Sequence, residues 1–315
     1  MKKRVMMTLS ALMIGTVLLT GCGSKKEETK AADTTAKTTE ASEAADTSST
    51  GGASGDITIV SREDGSGTRG AFIELLGIEE KDANGNKVDN TTEDAKITNS
   101  TSVMMTTVEG DVNAIGYISL GSLNETVTAL KVDGAEATPE NILSGTYKVV
   151  RPFNIATKSE ISDAAKDFIN FIMSKEGQAV VEENGYIPVG DAAAYTADTA
   201  ASGNIVVGGS SSVSPVMEAI IEAYGEANPN VTVELQTTDS TTGVSSTVEG
   251  SYDIGMASRE VKEDELAQGV VPTTIAQDGI AVIVNQENAL TDLTSDQVMG
   301  IFTGEITDWA DVSAE

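Results

Sequence analysis

The chain has 315 residues, of which 49 are acidic and 20 are basic, so its formal charge is −29. This acidity, with only 4% aromatic residues, argues against a surface that binds the backbone of nucleic acids. The sequence contains no histidine and one cysteine, which excludes Ser-His-Asp catalysis, histidine-ligated metals, internal disulfides and multi-cysteine zinc sites. Serine, threonine, glycine, arginine and carboxylates must supply the chemistry, and we expect neither a cofactor nor a metal.

The first 21 residues have the organisation of a secretory signal peptide. Lys2, Lys3 and Arg4 precede an apolar stretch, residues 5–19, that is short for a membrane span. The stretch ends in Leu-Thr-Gly-Cys at residues 19–22, which resembles the lipobox of bacterial lipoproteins. The resemblance implies cleavage before Cys22, palmitate on a lipidated Cys22, and anchoring at the extracytoplasmic face of the cell membrane. The alternative is an ordinary signal peptide with a chance cysteine.

Residues 22–55 are predicted to form the lipidated cysteine and a disordered tether. The segment contains Lys, Glu, Thr, Ser, Ala and Gly but no large apolar residue, so it cannot bury enough surface to offset its ordering entropy. A flexible segment of this length reaches roughly 30 Å. A long helix rich in Ala and Glu is the competing interpretation, and the Thr and Ser clusters argue against it.

From Asp56 onward, predicted strands alternate with predicted helices, which indicates an α/β fold. The predicted strands cover residues 57–60, 114–118, 147–156, 205–207, 231–235, 253–256 and 279–285. The predicted helices lie around residues 71–76, 164–183 and 215–227. Residues 190–203 are poor in large apolar side chains and are predicted to be an internal linker.

Four turns rich in Gly, Ser and Thr come at the carboxyl ends of predicted strands, at residues 62–68, 208–215, 237–244 and 253–259. Glycine lets the backbone approach a ligand, and a helix start offers free N–H groups to an anion. Arg62 adds a guanidinium that binds oxyanions with two hydrogen bonds. Ser214 is predicted as an N-cap with Pro215 at the first helical position. Each turn alone is also explained by ordinary helix capping, but four together predict an oxyanion site.

The segment VSREDGSGTR at residues 60–69 resembles the signature of the phosphate-binding proteins that serve the high-affinity phosphate ABC transporter. GSSSVSP at 209–215, DIGMASR at 253–259 and FTGEITDW at 302–309 resemble further segments of that family. The resemblance implies an α/β fold of the periplasmic-binding-protein type II, with two lobes, two crossover strands and a ligand cleft between the lobes. The crossover strands are expected near residues 147–157 and 273–285.

The order of the segments differs from that of the family, which indicates a circular permutation. The half that resembles residues 205–312 normally comes first, so residues 190–203 would join the old termini. On this basis we expect a first lobe from residues 56–150 and 278–315, and a second lobe from residues 151–277. Permutation is tolerated where natural ends lie close together and the break falls in an exposed loop.

The family's ligand roles carry over to individual residues of this sequence. Arg62 matches the arginine that binds phosphate, and Asp64 matches a carboxylate that orients this arginine. Hydroxyl and backbone donors are expected from both lobes, at Ser66, Gly67, Thr68, Ser211 and Ser240. Ser258 stands where some members have an aspartate that accepts the proton of phosphate, so discrimination against sulfate is open. Arg69 and Arg259 are candidates for cleft contacts or for salt bridges within a lobe.

The function predicted from these features is that of an extracytoplasmic solute-binding lipoprotein. A monomer would capture inorganic phosphate and deliver it to the permease subunits of an ABC transporter, without binding nucleic acid. Two alternatives remain open, a binder of another tetrahedral oxyanion such as sulfate, and a surface phosphate sensor with no role in transport. An enzyme is disfavoured because the sequence has neither a histidine nor a Gly-x-Ser-x-Gly elbow.

Overall fold

One nine-stranded sheet runs through the computed structural model, which describes residues 53–190 and 192–312. The strands are β1 (Thr58–Arg62), β2 (Glu79–Lys81), β3 (Lys87–Asp89), β4 (Lys96–Thr98), β5 (Ala114–Ser119), β6 (Val127–Ala129), β7 (Lys131–Val132), β8 (Val150–Lys158), β9 (Gly203–Ser210), β10 (Val231–Thr238), β11 (Ile254–Ala257), β12 (Val270–Asn285) and β13 (Asp292–Leu293). The helices are α1 (Gly67–Leu75), α2 (Thr101–Glu109), α3 (Pro139–Leu143), α4 (Asp163–Ile172), α5 (Lys175–Glu183), α6 (Ser214–Ala227), α7 (Ser240–Glu249), α8 (Glu263–Leu266), α9 (Ser295–Thr303) and α10 (Trp309–Val312). The predicted α/β class is confirmed.

The strand order in the large sheet is β10-β9-β11-β8-β12-β5-β1-β4, and β6 also pairs with β12. Strands at each end run parallel, β10 with β9 and β9 with β11 on one side, β5 with β1 and β1 with β4 on the other. The central strands β8 and β12 are antiparallel to each other over a long register, from Val270 opposite Lys158 to Gly279 opposite Val150. These two strands therefore connect the two ends of the sheet.

Separate hydrophobic cores pack on the two ends of the sheet and define two lobes. The first lobe is built around a core that contains Phe72, Tyr117 and Phe302, with the Phe72 and Tyr117 rings stacked at 3.9 Å between centroids. The second lobe is built around a core that contains Phe168 and Tyr224, whose ring centroids are 4.9 Å apart. A smaller cluster covers the opposite face of the sheet in each lobe. Each parallel end of this mixed sheet is thus covered on both faces, as parallel strands usually are.

The single helix predicted over residues 164–183 is wrong, because the chain breaks into α4 and α5. Ser174 lies at the break, where its hydroxyl donates to the carbonyl of Phe171 at 2.6 Å and accepts from the N–H of Gly177 at 3.1 Å. Ser174 is thus the N-cap of α5. A Cβ at Gly177 would lie 2.1 Å from the Phe171 carbonyl oxygen, so the turn closes only around a glycine.

The segment predicted as an internal linker is irregular but firmly attached to the second lobe. The buried carboxylate of Asp167 accepts hydrogen bonds from the Tyr195 hydroxyl at 2.7 Å and the Asp198 N–H at 2.9 Å. Tyr224 of α6 and Asn228, the C-cap of that helix, donate to the same carboxylate, each at 2.8 Å. Asp167 thus ties the segment to α4 and α6.

The predicted signal peptide, the lipidation residue Cys22 and all but the last three residues of the predicted tether lie outside the described residues. Within residues 53–190 and 192–312, no helix combines the length and the apolar character needed to cross a membrane.

Candidate functional site

The turn between β1 and α1 places Arg62 at the meeting point of the two lobes. Ser66 is the N-cap of α1, and its hydroxyl accepts a hydrogen bond from the N–H of Arg69 at 3.3 Å. Gly67 and Thr68 therefore occupy the first helical turn, where N–H groups have no partner within the helix. The predicted donors Ser66, Gly67 and Thr68 are all buried.

Arg62 is buried, with 2% of its surface exposed, and is oriented by its neighbour in sequence. Its Nε and Nη2 each donate to the Glu63 carboxylate at 2.8 Å. Nη2 also donates to the Ser211 hydroxyl of the second lobe at 3.1 Å. The remaining nitrogen, Nη1, is buried and has no hydrogen-bond partner among the described residues. A charge-assisted donor in this position has an unmet requirement for an acceptor.

Asp64 does not orient Arg62, contrary to the prediction. Its side chain is 98% exposed and pairs with Arg69, whose Nη1 lies 3.0 Å from Oδ1. The same Arg69 nitrogen donates to the Arg62 carbonyl at 2.8 Å, and Nε donates to Asp89. Glu63 takes the position at Arg62 because the turn points consecutive side chains in different directions, which the motif alone does not specify.

The second lobe contributes Ser211 and Ser212 from the turn before α6. The Ser212 hydroxyl lies 2.8 Å from Thr68 Oγ1 in the first lobe. Ser214 is not the N-cap of α6 as predicted, because the helix begins at Ser214 itself and Val213 precedes it as the cap. The Ser214 hydroxyl instead donates to the Ser210 carbonyl at 3.2 Å and contacts Thr237. It stiffens the turn that presents Ser211 and Ser212.

Ser240 and Ser258 complete the second lobe's side of the site. Ser240 is the first residue of α7 and Ser258 follows β11, and both are fully buried. Their hydroxyls are 3.4 Å apart, and the Ser258 N–H donates to Ser240 Oγ at 3.1 Å. Thr68 Oγ1 of the first lobe lies 3.5 Å from Ser258 Oγ. The structure therefore brings Arg62, Thr68, Ser211, Ser240 and Ser258 together, while their role in phosphate binding stays a prediction.

Three residues of this cluster were not among the predicted site residues: Ser212, Thr101 and Arg151. The Thr101 hydroxyl lies 3.4 Å from Ser211 Oγ and 3.1 Å from Ser212 Oγ, and its N–H donates to Ser211 Oγ at 3.3 Å. A signal existed, because Ser100 and Thr101 form another hydroxyl-rich helix start; the three-residue strand before them was too short to be recognised.

Arg151 lies on β8, one of the two strands that connect the lobes, and its side chain contacts Thr68 of the site. Its Nη1 donates to Thr68 Oγ1 at 2.6 Å, while its other nitrogens pair with the buried carboxylate of Asp278. Burial raises the pKa of Asp278 and lowers the pKa of Arg151, because both charges lose hydration. No local pattern marks this pair, since the two residues are 127 positions apart.

Tyr117 supports the Arg62 turn from within the first lobe's core. Its hydroxyl accepts from the Arg62 N–H at 3.2 Å and lies 2.8 Å from the Ser61 hydroxyl. Burial raises the pKa of Tyr117 to about 12, so it stays a neutral phenol at ordinary pH. The backbone at Arg62 is therefore fixed by a neutral group that adds no negative charge to the site.

The lobes are in direct contact around these residues. The Gly65 carbonyl accepts from the Thr241 N–H and from the Thr241 hydroxyl, both at 3.2 Å. Arg259 makes a pair within its own lobe, with Nη1 and Nη2 on Glu265 at 2.8 and 2.7 Å. The arrangement is that of a closed cleft lined by hydroxyls, in which Nη1 of Arg62 is buried and has no acceptor among residues 53–190 and 192–312.

No group of three or more His, Cys, Asp or Glu side chains is placed to hold a metal ion in the part of the chain that the structure describes. The hydroxyl cluster and the paired arginines are chemically suited to an oxyanion, which accepts hydrogen bonds from both lobes at once.

Comparison with known proteins agrees with this geometry. The family profile of the PBP superfamily domain matches residues 11–176 and 194–315. The phosphate-binding protein PstS 2 of Streptococcus agalactiae serotype V (strain ATCC BAA-611 / 2603 V/R) is 52% identical over 316 residues, which cover 99% of this chain and 100% of that protein. PstS 2 of Streptococcus pneumoniae serotype 4 (strain ATCC BAA-334 / TIGR4) is 40% identical over 309 residues, covering 98% and 99% of the two chains.

A solved structure shares the fold. The crystal structure of a phosphate-binding protein of a phosphate ABC transporter from Streptococcus pneumoniae TIGR4 superposes with a TM-score of 0.65. The two sequences are 44% identical, and the match covers 82% of this chain and 100% of the other. The two-lobed fold expected from the sequence resemblance is confirmed.

Proposed function

The chain belongs to the PBP superfamily and, within it, to the PstS family of phosphate-binding proteins, and we propose that it binds inorganic phosphate between its lobes for an ABC transporter. The observation that carries this proposal is the unpartnered Nη1 of Arg62, buried where hydroxyls of both lobes converge. A tetrahedral anion offers several acceptor oxygens at once, so it can satisfy Nη1 and the hydroxyls of both lobes together. An anion held by both lobes stabilises the closed state over the open one.

We propose that this site binds its ligand without chemical conversion. Three carboxylates border it: Glu63 and Asp278 are engaged by arginines, and Asp239 accepts from the N–H and hydroxyl of Thr242. Among the described residues, none of the three makes a hydrogen bond to the hydroxyls of Thr68, Ser211 or Ser240. A serine nucleophile needs an adjacent general base, which this arrangement of carboxylates does not supply.

The site also balances charge locally. Arg62 is paired with Glu63 and Arg151 with Asp278, so these four side chains together carry no formal net charge. Binding then depends on directed N–H and O–H donors rather than on long-range attraction. The chain's formal charge of −29 is compatible with this, because exposed charges are screened beyond about 8 Å at physiological ionic strength.

We further propose a location and partners in keeping with the family. The chain acts as a monomer on the extracytoplasmic side of the cell membrane, anchored by lipid on Cys22, and passes phosphate to permease subunits. The support is the signal-like sequence of residues 2–22 and the similarity to proteins of phosphate ABC transport. Labelling of the cell with a palmitate analogue, with Cys22→Ala as control, tests the anchor: label on both chains overturns it.

The lobe boundaries and the circular permutation are likewise proposals. The first-lobe core draws its members from residues 59–149 and 280–312, and the second from residues 153–276, in keeping with lobes of residues 56–150 plus 278–315 and 151–277. The start and end of the described chain lie side by side: Asp56 forms a bridge with Asp308, and the Ile57 N–H donates to the Thr307 carbonyl at 2.7 Å. Adjacent ends at the surface are what a permutation requires.

Calorimetric titration of the full-length chain, stripped of ligand, tests the proposed function. We expect phosphate to bind, and Arg62→Lys to weaken binding by about 100-fold, because lysine keeps the charge but loses the planar fork. Arg259→Lys is the matched control, since Arg259 is also buried but is paired with Glu265 inside one lobe. Because Arg259 makes no hydrogen bond to Thr68, Ser211, Ser240 or Ser258, we expect its effect on the Kd to stay below about threefold.

The same titration with sulfate, from mildly acidic to mildly alkaline pH, separates the alternatives. Phosphate binding without sulfate binding supports phosphate uptake. If both anions bind equally, the protein is a general oxyanion receptor. If neither anion binds, the proposal is overturned. If phosphate binds but a strain lacking the chain takes up phosphate normally, a sensor role replaces transport.

A further inference from the structure

Arg151 and Asp278 form an ion pair between the two strands that join the lobes. They face each other in the register of β8 and β12, and each side chain is 1% exposed. Arg151 donates from Nε at 3.2 Å and from Nη2 at 2.9 Å to the same oxygen, Oδ2. Ser119 donates to the other oxygen, Oδ1, at 3.0 Å. The pair holds the guanidinium plane in place and leaves Nη1 for other contacts.

The Nη1 group of Arg151 is shared by both lobes. It donates to Thr68 Oγ1 at 2.6 Å and to the Ser258 carbonyl at 2.9 Å. Thr68 lies in the first turn of α1 in the first lobe, whereas Ser258 follows β11 in the second. Because this nitrogen carries two hydrogens, it makes both bonds at the same time.

Opening of the cleft is coupled to these two bonds. A movement that separates Thr68 from Ser258 takes at least one of them out of reach of Nη1. A buried guanidinium hydrogen then loses its acceptor, which is costly in a dry site. The two bonds therefore favour the closed arrangement of the lobes, whether or not an anion is bound.

Arg151 also sets the direction of the Thr68 hydroxyl. Thr68 Oγ1 accepts from Arg151, so its own hydrogen is left to donate elsewhere. In the structure, two hydroxyl oxygens lie within its reach, Ser212 Oγ at 2.8 Å and Ser258 Oγ at 3.5 Å. An anion oxygen that enters between the lobes would compete for the same hydrogen. Thr68 is thus prepared as a donor before the ligand arrives.

We infer that Arg151, held by Asp278, is a positioning residue that closes the lobes on the ligand and orients the Thr68 hydroxyl toward it. The inference about the ligand rests on the proposed function, whereas the inference about closure does not. Arg151 differs from Arg62 in that each of its three side-chain nitrogens has a hydrogen-bond acceptor, whereas Nη1 of Arg62 has none among the described residues.

The test measures closure with two spin labels, one in each lobe. In a full-length chain carrying Cys22→Ser, Ser102→Cys on α2 and Ser245→Cys on α7 provide exposed labelling sites in the first and second lobes. The substitution pair Arg151→Gln with Asp278→Asn removes both charges together and leaves no lone buried ion. We expect the ratio of closed to open chains without phosphate to fall about tenfold or more.

Phosphate titration of the same variants provides the second measurement. A tenfold loss of the closed population predicts a similar rise in the Kd for inorganic phosphate, through faster dissociation. Arg151 and Thr68 should also be non-additive: Thr68→Ala should cost less in the Arg151→Gln, Asp278→Asn background than in the native one.

Asn154→Ala is the matched control. Asn154 is buried on the same strand, but it bonds to the Arg259 carbonyl and to Thr274 and makes no bond to the first lobe's hydroxyls. We expect it to lower the melting temperature without changing the ratio of closed to open chains. Equal effects of the control and the Arg151 variant on that ratio would show a purely structural role and overturn the inference.

The outcomes are distinguishable from those for the proposed function. If the native chain does not bind phosphate, the proposed function fails, and the label distances still decide whether Arg151 controls closure. If the double variant does not fold, Arg151→Lys replaces it, since one ammonium cannot serve Asp278, Thr68 and Ser258 in the same geometry. A ratio unchanged by the substitution overturns the inference in either background.

Discussion

Gly67 of the first lobe and Ser240 of the second approach each other so closely that no side chain fits between them. A Cβ built on Gly67 would lie 2.4 Å from Ser240 Oγ and 2.8 Å from Ser258 Oγ. The contact exists because α1 and α7 both begin at the cleft, pointing their first turns at each other. Gly67 therefore lets the lobes close, in addition to offering its N–H group at a helix start.

We predict that Gly67→Ala weakens phosphate binding by about 10- to 100-fold, because overpacking of a closed contact costs about 1–3 kcal/mol. The open state has no such clash, so the melting temperature should fall less without phosphate than with phosphate. Calorimetric titration and thermal unfolding of the two chains measure both quantities.

Gly70→Ala is the control for that substitution, one turn further along α1. The nearest atom to a Cβ there is Arg259 Cδ at 3.8 Å, an ordinary contact. We expect the Gly70→Ala chain to bind phosphate with the same Kd as the native chain. If both alanines weaken binding equally, loss of backbone freedom in α1 is the cause and the steric explanation is wrong.

Thr101 is predicted to stabilise the closed cleft through its hydroxyl. Thr101→Val keeps the side-chain volume but removes the contacts with Ser211 and Ser212. We expect the free energy of phosphate binding to weaken by about 1 kcal/mol, which is a roughly fivefold rise in the Kd and is typical of the loss of one neutral hydrogen bond. Ser102→Ala, at an exposed neighbouring hydroxyl, should leave the titration curve at its native position.

Ser258 is predicted to govern discrimination between oxyanions. Ser258→Asp places a carboxylate beside the Ser240 hydroxyl, where it repels any anion but can accept a hydrogen bond from a protonated one. Sulfate has no proton to donate near neutral pH, so its binding should fall at least about tenfold more than that of phosphate. Competition of the two anions in a calorimeter gives the ratio.

Ser258→Asn separates the charge from the size of that side chain. The amide is neutral and nearly isosteric with the carboxylate, so the ratio of sulfate to phosphate binding should remain close to native. A selective loss of sulfate in the asparagine variant would assign the effect to volume instead.

Asp167 is predicted to stabilise the second lobe in a pH-dependent manner. Burial by itself raises the pKa of Asp167, but hydrogen bonds from the Asp198 N–H, Tyr195, Asn228 and Tyr224 outweigh it and leave the pKa below its ordinary value of 3.8. The folded chain therefore binds this proton more weakly than the unfolded chain does. The resulting stability is present above pH 3.8 and is lost as the pH falls through the lower, folded-state pKa.

Thermal unfolding of the native chain and of the Asp167→Asn variant, measured as a function of pH, tests this direction of the change in stability with pH. We expect Asp167→Asn to lower the free energy of unfolding by about 2–4 kcal/mol at neutral pH, since the amide leaves buried donors without acceptors. The difference between the two chains should shrink below pH 3.8. Asp163→Asn, an exposed site at the start of the same helix, provides the control. A difference that is constant with pH would contradict the role of ionised Asp167.

The sequence by itself determined the local features of this protein. The α/β class, the strand before Arg62, the glycine and serine turns and the hydroxyls of Ser211, Ser240 and Ser258 all follow from short stretches of chain. Helix starts, tight turns and apolar strands depend on residues within a few positions of each other, so they can be predicted from the sequence without a structure.

Only the tertiary structure decided which side chains meet. Glu63 rather than Asp64 orients Arg62, because the direction of each side chain depends on how the turn packs. The pairing of Arg151 with Asp278 depends on the register of two strands, and the contact of Thr101 with Ser211 depends on the approach of two lobes. These partners are 127 and 110 positions apart, so no local pattern encodes them; their contacts arise when burial of both cores brings the strands and helix starts together.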